Sequence, residues 1–183
     1  MTTYRYWATH LVTGAVLADN IPLTVSQMSR TISGVGQLTG TLNLQTQNAV
    51  QNAVYLTALE PRRTVLWASQ DDYPVWAGIL WDWPHQSVID GTLPISASTF
   101  ESLFSHRQID KNLSYTGTDM FEIFRELIGF AVSKTPNGAV AGLQLPTNVS
   151  GVTLSLNYNA PDLQKVWDAL TALASTGNFE FSF

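Results

Sequence analysis

Thr64-Val-Leu-Trp-Ala68, Gln70-Asp-Asp-Tyr-Pro74 and Val75-Trp-Ala-Gly-Ile-Leu-Trp-Asp-Trp83 decide how the rest of the chain is read. The two outer runs are rich in β-branched and aromatic residues. The piece between them has the length and the Asp-rich chemistry of a hairpin connection. An antiparallel hairpin is therefore expected, and its neighbours extend a β pattern in both directions. Downstream, Pro84 to Gly91 holds a further turn and Thr92 to Ala97 a short strand. Upstream, Gln37 to Gln45 alternates, with Leu38, Leu42 and Leu44 on one face and Thr39, Thr41 and Asn43 on the other, the signature of a half-buried strand.

The first residues repeat the theme. Tyr4, Tyr6 and Trp7, then Leu11 to Leu17 about Thr13 and Gly14, read as a hairpin, followed by a break at Asp19 to Pro22. Val25 to Gly36 reads as an irregular linker. The apolar positions from Gln47 to Leu59 fit either period, and a loop with one helical turn at most is expected.

Three helices are expected later. Ser98 and Glu101 form an S-x-x-E capping box for a short helix through Phe104. A second helix begins at Thr118 or Asp119, carries Met120, Phe124, Leu127, Ile128 and Ala131 on one stripe, and stops at Pro136, Asn137 and Gly138. A third has Pro161 in its first turn, then Leu163, Val166, Trp167, Leu170, Leu173 and Ala174, with Gly177 as its cap. The runs Asp119 to Leu127 and Asp162 to Leu170 also share Asp, Met/Leu, Ile/Val, Phe/Trp and Leu in matching positions, the pattern of either a repeated helical unit or two ordinary amphipathic helices. Val140 to Leu145 and Val152 to Tyr158 are expected strands. So is Asn178 to Phe183, with Phe179, Phe181 and Phe183 on one face; no turn follows it, so pairing within an assembly or a longer chain is expected. The fold class is α+β and β-dominated, a β-rich portion over residues 1–109 ending in a short helix, then a smaller α+β portion over 110–183.

Charge is the unusual quantity. Asp, Glu, Lys and Arg make up 13% of the 183 residues, against about 25% in ordinary soluble domains. The only lysines are Lys111, Lys134 and Lys165, and Ser, Thr, Asn and Gln cover the exterior instead. Interfaces are depleted in Lys and Glu and enriched in aromatics, so this profile, with six Trp, suits a subunit packed against neighbours. A net charge of −5 with scattered acids lacks the basic footprint that nucleic acid requires. Arg62 and Arg63, the one adjacent basic pair, read as a turn after Pro61. No apolar stretch approaches the roughly 18 residues that cross a bilayer, and no secretory signal pattern opens the chain.

Chemistry is sparse. Without cysteine there is no disulfide framework or thiolate metal site, and His10, His85 and His106 share no ligand spacing, so no metal or cofactor is expected. No phosphate-binding glycine loop or nucleophile elbow is present; Gly34-Val-Gly36 is too short for one. Asp71, Asp72, Asp82, Asp90 and Glu101 are the carboxylates a glycoside hydrolase would draw on. Asp71, Asp72 and Asp90-Gly91, however, are explained by turns, and no catalytic residues are assigned. Trp76, Trp81 and Trp83 are the candidate aromatics, either for packing at a subunit interface or for stacking on sugar rings.

The segments Leu59 to Trp67, Pro74 to Pro84 and Gly91 to Leu103 together resemble the minor tail proteins of actinobacterial siphophages. In those a strand opening with a Trp-x-Gly-Ile pattern is followed by a strand-to-helix step, matched here by Trp76, Gly78, Ile79, Leu93, Ile95, Ala97, Glu101 and Leu103. More distantly the order is similar to the baseplate-hub and late-control tail proteins of contractile phages, whose later helices are matched at Asp119 and Asp162. The resemblance implies tail-tube-like β-barrels with two or three flanking helices. It also implies a non-enzymatic part of the virion tail, made and assembled in the host cytoplasm, that forms a ring or homotrimer. That ring would join the tail tube to the adsorption apparatus, beside the distal tail, tape-measure and receptor-binding proteins. Proteins of this kind usually continue well beyond this length. A non-catalytic carbohydrate-binding tail domain using the Trp cluster is the alternative.

Overall fold

The computed structural model describes residues 3–45, 47–82, 91–135 and 140–183. These form strands β1 (Tyr4–His10), β2 (Val16–Ala18), β3 (Leu23–Met28) and β4 (Gln37–Asn43), helix α1 (Ala49–Ala58), strands β5 (Thr64–Gln70), β6 (Tyr73–Asp82) and β7 (Thr92–Ser98), helix α2 (Glu101–Ser105), strand β8 (Leu113–Asp119), helix α3 (Met120–Ser133), strand β9 (Thr153–Tyr158) and helix α4 (Val166–Gly177). The chain divides into two compact units, Met1–Phe100 and Glu101–Phe183. The short helix α2 falls in the second unit.

The first unit is a seven-stranded sheet in the order β2-β1-β5-β6-β7-β4-β3, every pair antiparallel. The expected hairpin is β5–β6, closed by Asp71 and Asp72 alone, both at positive φ (49° and 68°). Two left-handed residues are what a two-residue connection needs to follow the strand twist, and Asp tolerates that conformation. Strand β6 starts earlier than expected because Pro74 is accommodated within it. β7 pairs with β6 only from Ile79 onward, so at Pro74 the strand has one neighbour and the missing N–H leaves no gap in a ladder.

The sheet is strongly curled. β2 and β3 are its two edges, which in a flat sheet of this order lie about 29 Å apart, six gaps of roughly 4.8 Å. Yet only residues 19–22 join Ala18 to Leu23, and a fully extended link of that length reaches no more than about 18 Å. The edges must therefore approach one another. Ile21 in this link donates its N–H to the Tyr6 carbonyl at 2.8 Å, drawing the link onto β1. Register shifts in β1–β2, β3–β4, β5–β6 and β6–β7 supply the local bends. Among the described residues no ladder joins β2 to β3, and the unit is a curled antiparallel sheet.

Inside the curl one cluster joins Ala8, Leu38, Leu42, Leu66, Trp76, Leu80, Leu93 and Ile95 with Ala58 and Leu59 from the end of α1. Leu38, Leu42, Leu66 and Leu80 are wholly buried.

Two expectations in this unit are corrected. Leu23–Met28 is a strand, because Ser26 is an extra residue in a bulge that interrupts the alternation. Gln47 to Leu59 is a helix of nearly three turns: Asn48 caps it by accepting the Gln51 N–H at 2.9 Å, and its alanines favour the conformation. Its period was hidden because apolar residues lie both on the core side, at Tyr55 and Leu56, and on the solvent side, at Val50 and Val54.

In the second unit β8 and β9 form a two-stranded sheet, and α2, α3 and α4 pack together. Asp119 caps α3 as expected. Asp162 plays no equivalent part: it lies in a 3-10 turn over Ala160–Asp162, Leu163 turns left-handed (φ 44°), and α4 starts only at Val166. The matching sequence runs are therefore not a structural repeat. β8 was not anticipated, and Val140 to Leu145 is a turn and not a strand, with Gly142 at positive φ. Phe179 to Phe183 joins no ladder among the described residues; its rings pack instead on Phe104, Phe121, Phe124 and Trp167. The stops expected at Pro136 to Gly138 and the turn at 84–90 lie outside the described residues.

Leu66→Ala should lower unfolding free energy in urea by about 2 to 5 kcal/mol, since the site is closed on all sides. Asp72→Gly, which removes the Cβ at a left-handed position, should leave stability unchanged or slightly raised. Equal losses in both variants would contradict the two-residue hairpin.

Candidate functional site

The structure sorts the aromatic positions differently from the sequence. Trp76 is 4% exposed, inside the curl, and donates its indole N–H to the Ser29 carbonyl at 2.9 Å. Gly78 follows on the same face of β6. A Cβ at Gly78 would stand 2.4 Å from Cη2 of Trp76 and 2.5 Å from the Ser98 carbonyl oxygen. The Trp-x-Gly pattern is thus a packing device: glycine makes room for the indole, and the indole ties the chain after β3 to the middle of the sheet. Trp76 cannot stack on a sugar. Trp81 is the half-buried extra residue of the bulge between Leu80 and Asp82, and Trp83 lies outside the described residues.

A different pair forms the exterior aromatic feature. Trp7 on β1 and Trp67 on β5 are register partners. Their rings lie parallel within 6° at 5.7 Å, and the Trp67 indole donates to Oγ1 of Thr9 at 2.8 Å. Both are half-buried and point away from the core that holds Ala8 and Leu66. The signal was available in the sequence as two aromatics out of phase with their buried neighbours, but the pairing that brings them together was not.

Where β1 begins, Tyr4 and Tyr6 stack at 6.4 Å and 7°, beside an open cleft of about 500 Å³ lined also by Thr3, Arg5, Asn20, Asp71 and Asp72. Burial pushes the Tyr6 hydroxyl up, with Tyr4 adding to the effect. Arg5 pairs with both oxygens of Asp19. The hydrogen bond from Arg5, joined by the Asn20 N–H, holds the Asp19 carboxyl below the usual range.

Of the carboxylates that might have served as acids or bases, Asp71 and Glu101 hold backbone in place. Asp71 accepts the Thr3 N–H at 3.0 Å. Glu101, 1% exposed, does not close the expected capping box; its Oε1 accepts the Phe183 N–H at 3.1 Å. Asp82 ends β6 at the surface, and Asp90 lies outside the described residues. Asp119 accepts from the N–H groups of Phe121 (2.9 Å), Ser150 (3.0 Å) and Gly151 (3.0 Å) and from the Ser150 hydroxyl (2.9 Å). Burial would raise this carboxyl, but the hydrogen bonds from Ser150, Phe121 and Gly151 outweigh it and hold it below the usual range. His10 accepts two N–H groups, from Val12 and Thr13, at its own turn. Among the described residues no three His, Asp or Glu side chains converge as metal ligands.

No family model and no curated protein matches this chain. Among solved structures its fold is similar to the tail protein from Neisseria meningitidis MC58, with a TM-score of 0.51 and 12% identity over 93% of this chain and 46% of that one. A 43 kDa tail protein of prophage MuSo2 from Shewanella oneidensis aligns with a TM-score of 0.49 and 14% identity over 95% of this chain and 50% of its own. The chain spans about half the length of these tail proteins. The likeness to the Neisseria protein is one of fold.

Two outcomes test the site geometry. Gly78→Val should displace the Trp76 indole, shift its fluorescence to the red and destabilise the first unit by about 1 to 3 kcal/mol. For Asp119 the folded-state carboxyl is depressed, so its stabilisation is complete above the ordinary carboxyl range of about pH 4 and is lost as pH falls through the folded value. Acid titration of the second unit by circular dichroism should therefore be shallower in Asp119→Asn than in the wild type; identical curves would remove Asp119 from this role.

Proposed function

We propose that this chain is a structural, non-catalytic domain of a bacteriophage tail, positioned at the tail tip or baseplate hub. The observation that carries the reading is the fold, a curled seven-stranded antiparallel sheet followed by a small helical unit, similar over 93% of the chain to a bacterial tail protein. The sequence resemblance to minor tail proteins of actinobacterial siphophages supports the same place in the virion. In this reading the sheet is a tail-tube-like barrel element. Copies join as a homotrimer or ring around the tail axis, and the distal tail, tape-measure and receptor-binding proteins are its neighbours. A charge content of 13% favours lasting contacts, since charged side chains are what interfaces exclude. The carboxylates engaged with backbone N–H groups, Asp71, Glu101 and Asp119, favour a scaffold over a catalyst.

A second reading, non-catalytic carbohydrate binding, is favoured by the cleft beside Tyr4 and Tyr6. There aromatic faces and the polar groups of Asn20, Asp71 and Asp72 lie together, as sugar recognition requires. Trp81 stands apart from that cleft's lining and would enter only at an interface.

Gold-labelled antibody against the chain, applied to intact tailed particles, tests the first reading. Label confined to the distal end of the tail is expected; label on capsids, or none on particles that contain the protein, would contradict it. For the second, saccharide binding that is lost in Tyr4→Ala would establish the cleft, and absence of binding across a broad glycan panel would remove it.

A further inference from the structure

Strand β1 sends alternate side chains to opposite faces. Ala8 lies in the core cluster inside the curl, so Tyr6 and Tyr4, the preceding residues on its face, carry that face to the end of the strand. Their rings are parallel within 7° at 6.4 Å, and Tyr4 is 44% exposed. A flat aromatic plate therefore stands at the mouth of the curl. Mouths of barrel-like sheets are where such folds hold small ligands, and the cleft of about 500 Å³ opens here. Two tight turns wall it. One is the link between β2 and β3, where Asn20 is left-handed at φ 49°; the other is the β5–β6 connection through Asp71 and Asp72. The polar groups of the cleft are unequally committed. Arg5 is paired with both oxygens of Asp19, so its charge is cancelled. Asp71 uses Oδ1 on the Thr3 N–H and keeps Oδ2. Among the described residues Asp72 feels Arg5 electrostatically, but neither its carboxylate nor the Asn20 carboxamide makes a hydrogen bond. An aromatic plate, an uncommitted amide and two carboxylates without a cation of their own thus line one cleft.

We propose that this cleft takes a saccharide bearing a protonated amine. The inference rests on the carbohydrate-binding reading above and names its ligand class. The apolar face of a sugar ring lies on the Tyr4 plate. Hydroxyls exchange hydrogen bonds with the Asn20 carboxamide, which both donates and accepts, and the ammonium group donates to Asp72 and to Oδ2 of Asp71. The plate points to a ring-shaped ligand, and the charges select among rings. A uronic or sialic acid would bring a further carboxylate to a site whose cation, Arg5, is already neutralised. A neutral sugar can donate hydroxyls to the same oxygens, but it brings no charge to offset two carboxylates whose desolvation is costly. An ammonium group supplies both the donors and the charge, and hydrogen bonds between ionised partners are the stronger kind. Because both walls are tight turns, binding orders little of the chain.

Isothermal titration calorimetry of the full chain tests this at low salt and mildly acidic pH, where the sugar amine is protonated. The ligands are a glucosamine trisaccharide, its fully N-acetylated counterpart and trilysine. The amine form should bind about tenfold more tightly than the acetylated form, a margin that narrows as salt is added. In the double variant Asp71→Asn, Asp72→Asn that ratio should fall to about one. Asn tolerates the left-handed turn and still accepts the Thr3 N–H, and circular dichroism checks that the variant is folded. Equal affinities of the two trisaccharides for the wild type, or a preference that persists in the double variant, would overturn the amine assignment while leaving the carbohydrate reading in place. No binding of either trisaccharide would overturn the proposal, and with it the carbohydrate reading if the glycan panel is also empty. Trilysine binding as tightly as the glucosamine trisaccharide would assign the cleft to a basic protein segment and overturn the saccharide proposal.

Discussion

Four residues, Asp19 to Pro22, connect the two opposite edges of a seven-stranded sheet, and much of the first unit follows from that short link. Because its reach is shorter than the width of a flat sheet, the strands must wrap around their own apolar face. Wrapping gives Leu38, Leu42, Leu66, Leu80 and Trp76 a common interior, and the helix end at Ala58 and Leu59 fills it. It also explains why bulges recur along the ladder: each extra residue bends a strand where the curl demands it. Ile21, buried at 3% exposure and bonded to β1, anchors the link itself.

The same geometry separates inward from outward aromatics. Trp76 is an inward residue whose ring depends on the absence of a Cβ at Gly78, whereas Trp7 and Trp67 are outward residues whose rings depend on each other. A surface with this composition is costly to leave in water.

Much of this was legible from residues read in order. The β5–β6 hairpin, β4 and β7 were evident from alternation, and α3 from its apolar stripe and acidic cap, because in each the local pattern and the tertiary role coincide. The failures share a cause. β3 is interrupted by a bulge at Ser26, α1 is apolar on two sides, and α4 starts late because Leu163 adopts a left-handed turn; in each, tertiary demands broke the period that sequence reading depends on. The aromatic site was only partly legible. Trp76 and Trp81 are close in sequence, but a bulge sends them to different environments, while Trp7 and Trp67 meet through a strand pairing between residues far apart in the chain.

A cryo-electron-microscopy reconstruction of the tail in which this chain is found tests the central claim most directly. The account expects several copies of the curled sheet arranged around the tail axis near its distal end. Density showing a single copy away from the axis would contradict it.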